Sequence, residues 1–459
     1  MPASHVTRFT SLSYENPRDL VFGRAKQPLR YGLGLEVGAG RVIPELKYWP
    51  RRGAEEAGKL VEEFTRITKE ALERAVDLGA EALQLETELS YKATMQPKLA
   101  REIVEAQRSV MEDYHSEYGI TLALRVTVAD IRWSKSLSRE EALALMMEAF
   151  EEVAAAGADV LSIESIGGKE VFDYSIIRGD LEGIALSLGI LAPIDVERLW
   201  RDVVRIAARH GVIAGGDTAC GFANTAMKLA GGLARRMVPH TLAAIVRAMS
   251  IPRTLKAYEV GAKGPGKDCA YENVAIKAIT GYPMSMEGKA SAVAHSSLLG
   301  NVAAAACDLW SNEQVENLKL FGGTGPQVFL EILHYDCELM NAALRTGRET
   351  MLRDLMVESD AWRDPQALIL APPFAWEIAR VVVEEGDDYR RAVRAGIRAL
   401  QLIETEWRKG RLRMDDREAG YMLRLKRELE RLPSDAEDLL DRAGYYESKI
   451  ESFKLSNYF

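Results

Sequence analysis

ALQLETELSYKATMQPKLAREIVEAQRSVMEDYHSEYGITLALRVTV, residues 82–128, decides the fold. Its two ends, 82–89 and 121–128, are short apolar runs of strand length. Between them, residues 97–118 repeat their apolar side chains at helical spacing, opened by Pro97 and closed by Gly119. Strand, helix, strand over this length is one unit of a parallel sheet, because a parallel pair needs a crossover too long for a hairpin.

The same alternation extends outward. Residues 31–37, YGLGLEV, read as a first strand, and 55–78 as a helix stopped by Gly79. Ser138 and Glu141 form a capping box for a helix over 140–155, followed by a fourth strand, DVLSIES, at 159–165. A helix over 196–210 leads to a fifth strand, VIAGGDTA, at 212–219. Helices are predicted at 223–237 and 240–249, a sixth strand at 255–260, a seventh within 281–293, and a late strand, NLKLFGGTG, at 317–325. The pattern predicts an α/β fold, a (β/α)8 barrel of TIM type with an N-terminal extension over 1–355 and a helical region over 356–459. The apolar stripes of that region, in 389–408 and 417–431, are expected to pack on the barrel or on a partner.

The chain has 459 residues, 47% hydrophobic and 28% charged, with a net charge of -9. That balance predicts a soluble globular protein with no general affinity for nucleic acid or anionic lipid. The longest weakly polar run, 183–194, is too short to span a bilayer, and the N-terminus lacks the apolar core of a secretion signal. A cytoplasmic protein is expected, and its four cysteines then read as thiols or metal ligands rather than disulfides.

Chemistry in such a barrel gathers at the carboxyl ends of the strands. The polar residues at the predicted strand ends are Glu36, Glu86, Glu88, Asp130, Glu164, Asp217, Cys220, Glu259 and Cys269, an acidic, thiol-bearing rim without histidine. Glu164, Cys220 and Cys269 are candidate ligands of a catalytic zinc ion, which takes thiolate and carboxylate donors and keeps a fourth position open. The alternative stays open that either cysteine packs as a small apolar residue. Cys307 and Cys337 sit in helical patterns and read as core.

Other patterns fall short. GAKGPGKD at 261–268 has phosphate-loop spacing, but Asp268 stands where a hydroxyl should hold magnesium. Gly32, Gly34, Gly38 and Gly40 open no helix, and the six histidines show no paired metal spacing. His295 is a candidate to reach the site, with Trp49, Trp133 and Phe222 as candidate apolar lining.

LVFGRAKQPL (20–29), LSIESIGGKE (161–170), GGDTACGFANTAM (215–227) and GPGKDCAYEN (264–273) resemble the zinc-dependent methanol:corrinoid methyltransferases of methanogens and acetogens along essentially the whole chain. The resemblance implies that Glu164, Cys220 and Cys269 ligate one zinc ion. It also implies that zinc-bound methanol gives its methyl group to Co(I) of a corrinoid-binding partner protein, within a heterotetramer built on a homodimer. A proton must reach the departing oxygen, and Asp217, Glu259 and Asp268 are candidate donors, or else residues that orient ligands and loops. Three rivals stand beside this reading: a related enzyme using another small methylated donor, a zinc hydrolase, and a docking subunit with structural zinc.

Overall fold

Residues 7–47, 57–134, 136–231, 236–269, 271–289, 299–312 and 322–459 are described by the computed structural model of the chain. An antiparallel hairpin of β1 (Arg24–Tyr31) and β2 (Leu35–Ala39) comes first. The strands β3 (Ile43–Lys47), β4 (Ala82–Glu88), β5 (Thr121–Val128), β6 (Val160–Ile163), β7 (Ile213–Asp217), β8 (Ser285–Glu287) and β9 (Leu309–Asn312) then form one parallel sheet in the order β7-β6-β5-β4-β3-β9-β8.

The interval between β7 and β8 is bridged by an irregular extended segment, 263–268. Lys263 N donates to Ala214 O at 2.9 Å on the β7 side. On the β8 side Ser285 N donates to Gly266 O at 3.0 Å and Glu287 N to Asp268 O at 2.6 Å. The fold is therefore a (β/α)8 barrel with, among the described residues, seven regular strands and an irregular sixth position. Between strands run amphipathic helices such as Pro97–Tyr118, which Gly119 ends in the left-handed conformation at φ +71°. The Ser138–Glu141 capping box opens Arg139–Ala155.

Three expectations change. Residues 31–37 do not form the first barrel strand: Gly32 and Gly34 turn the chain at φ +60° and +81°, and the hairpin folds under the barrel instead. Leu33 N donates to Leu122 O at 2.7 Å. Tyr31, Leu35 and Val37 pack with Ile43, Ala82, Ala123, Val160 and Leu309 as a floor to the barrel interior. A barrel lumen left unfilled would forfeit both burial and dispersion contacts, which is why a floor is needed. The sixth strand expected at 255–260 is the helix Ile251–Glu259, in which Arg253, Lys256 and Glu259 recur at helical spacing; the window 255–260 is too short to tell that spacing from the alternation of a strand. The late strand expected at 317–325 falls mostly on 313–321, outside the described residues; the last barrel strand is β9, and Gly325–Arg345 is a helix. Cys307 lies in the loop between the helix Gly300–Ala304 and β9 rather than in a helix, and Cys337 lies in Gly325–Arg345.

Helices Glu349–Asp360, Pro365–Leu370, Pro372–Glu384, Asp388–Arg408 and Asp416–Leu429 follow. Asp388–Arg408 buries Ala392, Ala395, Ala399, Leu400 and Ile403, and it packs against His240–Met249. Each leucine or isoleucine so buried is worth about 1.5–3 kcal/mol relative to exposure. The final residues return to the barrel rim, where Tyr458 Oη accepts from Gly168 N at 2.7 Å. No helix among the described residues is long and apolar enough to cross a membrane.

Candidate metal centre

Glu164 directly follows β6, Cys220 begins the helix Cys220–Ala230 just past β7, and Cys269 directly follows the irregular sixth segment. Their side chains meet: one oxygen and two sulfurs lie within 4.8 Å of one another. Cys269 Sγ is 3.0 Å from Glu164 Oε1. Both cysteines are buried, whereas the Glu164 side chain is 28% exposed, which makes its side of the cluster the entrance.

The donor set suits a divalent cation. For Cys220 a hydrogen bond from Cys269 lowers the thiol pKa, but burial and the Glu164 carboxylate overcome it and push the thiol up to about 12. Burial pushes the Cys269 thiol well above its usual range, and its contact with Cys220 adds to the rise. Two thiols that resist ionisation beside a carboxylate are what a thiolate-binding metal resolves, since the ion replaces both protons with its own charge.

Positive charge lies directly beneath. Lys267 is fully buried, with Nζ 3.2 Å from Glu164 Oε1, 2.9 Å from Glu86 Oε1 and 2.8 Å from Asp268 Oδ1. Lys47 Nζ lies 3.1 Å from Glu88 Oε2 and 3.6 Å from Asp268 Oδ2. Burial alone would raise Glu164, but Lys267 and Lys47 outweigh it and hold the carboxyl at about 2. Asp268 is likewise kept well below the usual carboxylate range, burial being overcome by the same two lysines.

Asp217 ties the ligand-bearing loops together. Its Oδ1 accepts from Ser165 N at 3.1 Å, Thr218 N at 2.7 Å and Arg253 Nη2 at 3.0 Å, and its Oδ2 accepts from Trp200 Nε1 at 2.8 Å. It reaches this position because Gly216, at φ +113°, bends the end of β7 where a side chain would press on the Tyr258 ring. Glu272 Oε1 accepts from Ala219 N at 2.9 Å and Thr254 Oγ1 at 2.6 Å, and Asn224 Nδ2 lies 3.0 Å from Cys220 Sγ. The loop after Glu164 is held by Asp130, which accepts from Ile166 N at 3.0 Å, and by Ser187, which donates to Gly168 O at 2.7 Å. If this cluster holds a divalent cation such as zinc, Asp217→Asn is expected to weaken its binding by about 10–100-fold, the usual effect of loosening a group that orients ligands. Competition with a chromogenic chelator measures it, and an unchanged affinity would show that the loops hold themselves.

Of the residues expected at the rim, Glu86, Glu88, Glu164, Asp217, Cys220 and Cys269 come together, joined by the candidate donor Asp268, while Asp130 braces the loop after Glu164. Glu259 does not: it ends the helix Ile251–Glu259, where Arg391 Nη1 lies at 2.7 Å and Lys256 Nζ at 3.0 Å, and it fastens that helix to Asp388–Arg408. Glu36 belongs to the floor hairpin at the opposite end. Phe222 is buried edge-on against Phe172, Trp133 is half-exposed, and Trp49 and His295 lie outside the described residues. Sequence reasoning missed Lys47, Lys267, Arg253, Glu272 and Asn224. Lys267 was visible only inside the failed phosphate-loop match, since nothing in a sequence marks a lysine as buried.

A family model described as the methanol-cobalamin methyltransferase B subunit matches residues 6–459. A methanol--corrinoid protein co-methyltransferase of Methanosarcina barkeri (strain Fusaro / DSM 804) is 47% identical over 459 residues, covering 98% of this chain and 99% of the relative. A chain in the crystal structure of the methanol:cobalamin methyltransferase complex MtaBC from Methanosarcina barkeri is 46% identical. It superposes with a TM-score of 0.95 over 98% of this chain and 99% of its own length.

Proposed function

The chain belongs to the family of methanol-cobalamin methyltransferase B subunits, and on that premise we propose that it moves the methyl group of methanol to Co(I) of a corrinoid carried by a partner protein, with Glu164, Cys220 and Cys269 holding one zinc ion. The products are methyl-Co(III) and water. The observation that carries the zinc assignment is the convergence of one carboxylate and two thiols from three separate barrel positions. Following the family, the working assembly is a homodimer of such chains within a heterotetramer.

When bound there, zinc supplies Lewis acidity to the hydroxyl oxygen of methanol, worth several kcal/mol as charge grows on that atom. The chain's residues do the rest. Two thiolates and a carboxylate give the site a net charge near minus one with the ion, which favours a neutral alcohol over an anionic ligand. Asp217 and Glu272 hold the loops bearing Glu164 and Cys220 at fixed separation, so the donors are arranged before substrate enters.

The departing oxygen needs a proton. Asp268 does not hold one, because Lys267 and Lys47 keep it ionised, and Glu259 is outside the site. Asp217 accepts four N–H donors, which leaves its carboxylate to the loops and not to proton transfer. Glu88 and Glu86 are the rim carboxyls that burial raises, against the opposing pull of Lys47 and Lys267, and they are the candidates to hold that proton.

The test supplies zinc-loaded protein with a reduced corrinoid partner and offers methanol, a methylamine or a methoxylated aromatic. Formation of methyl-Co(III), read from the visible spectrum, is expected with methanol; a signal with only the others would replace the donor. X-ray absorption at the zinc edge is expected to change on adding methanol, whereas four unchanging protein ligands would make the metal structural.

A further inference from the structure

We infer that the rim turn at 130–134, with Trp133 at its tip, is the seat on which the corrinoid-carrying partner docks. Trp133 is 51% exposed. Yet the turn that presents it is rigidly held. Arg132 is nearly buried, with Nε 2.8 Å from Asp130 Oδ1 and Nη2 2.9 Å from Asp195 Oδ2. Asp130 in turn accepts from Ile166 N, in the loop that begins at Glu164. A large apolar side chain left half-exposed on a turn whose neighbouring residues are tied down is suited to contact with something else.

The position of the turn names that occupant. It follows β5, and its neighbours lead directly to the metal centre: Lys169 Nζ lies 5.7 Å from the Trp133 ring centre, and Lys169 Cε would be 3.6 Å from a methyl group placed on Gly221, the residue after Cys220. On the other side Tyr91, 40% exposed, donates to Ile131 O at 2.8 Å and extends the same surface. The cobalt must approach the methyl group within bonding range at the open side of Glu164, Cys220 and Cys269. A protein large enough to carry a corrinoid then lies across this turn. Its chemistry fits: the apolar edge of a corrin packs on indole, and the amide groups around that edge accept from the indole N–H and from Lys169.

This inference rests on the methyl-transfer reading, and the experiment separates the two. Zinc-loaded wild type, Trp133→Ala, Trp133→Phe and, as a surface control away from the turn, Tyr335→Ala are titrated calorimetrically with the corrinoid protein and assayed for methyl transfer. Trp133→Ala is expected to raise both Kd and KM for the partner about tenfold or more, with zinc content and kcat at saturating partner within about twofold of wild type. Trp133→Phe should recover most of the loss, and Tyr335→Ala should match wild type. Unchanged partner affinity in Trp133→Ala overturns the inference, and so does lost zinc, a fall in kcat alone, or an equal loss in Tyr335→Ala. A wild type that binds the partner but forms no methyl-cobalt overturns the methyl-transfer reading instead, while the affinity of Trp133→Ala still decides the docking surface.

Discussion

Cys269→Ala is expected to empty the proposed zinc site and to reduce methyl transfer by about three orders of magnitude or more. Lewis-acid help of several kcal/mol, at 1.36 kcal/mol per factor of ten, sets that scale. Of the two remaining donors, Glu164 is already paired with Lys267 at 3.2 Å, so the lysine competes for it once a sulfur is gone. The fold should survive, since alanine fits a space vacated by one buried sulfur. Cys307 and Cys337 provide the contrast: both are buried thiols in the hydrophobic core, and alanine at either should leave zinc stoichiometry intact. Metal analysis beside thermal unfolding checks this, and full zinc occupancy in Cys269→Ala would remove the assignment.

Lys267→Met carries the second large effect, on stability. Methionine keeps the lysine stem as far as Cε but leaves Glu86, Asp268 and Glu164 facing one another without the ammonium that lies within 3.2 Å of each. Removing one partner of a buried ionic cluster costs about 3–5 kcal/mol, because the desolvated charges left behind are uncompensated. The sign of the pH dependence follows. In the wild type, Asp268 has a depressed pKa and contributes stability above the ordinary carboxylate range that fades as pH falls through its folded value. In the variant the crowded carboxylates take up protons in the fold more readily than in the unfolded chain, so acid favours folding. The gap between wild type and variant should therefore be widest at neutral pH and narrow on acidification, as denaturant unfolding at two pH values would show. An equal gap at both would mean that Lys267 acts through packing rather than charge.

The barrel was legible wherever an element announces itself locally. Ala82–Glu88, Pro97–Tyr118 and Thr121–Val128 have contrasting periods and are punctuated by Pro97 and Gly119, and β8 falls inside the interval expected for a seventh strand. Legibility failed where burial is complete or the backbone irregular. Ile251–Glu259 buries its charged Arg253, Lys256 and Glu259 along with its apolar residues, so their helical spacing marks no solvent face, and 263–268 completes the barrel through isolated hydrogen bonds rather than a strand. The hairpin at Arg24–Ala39 has strand character, but whether it joins the sheet or floors it depends on the lumen it fills.

Chain order alone determined the βα rhythm, the family, and the candidacy of Glu164, Cys220 and Cys269, because residue types and strand ends are local properties. Only tertiary structure decided that these three meet, that Asp217 braces them, that Asp268 is held ionised by two lysines and that Glu259 serves a distant helix contact. Separation in space and the charge of neighbours set those outcomes, and neither is a function of position along the chain.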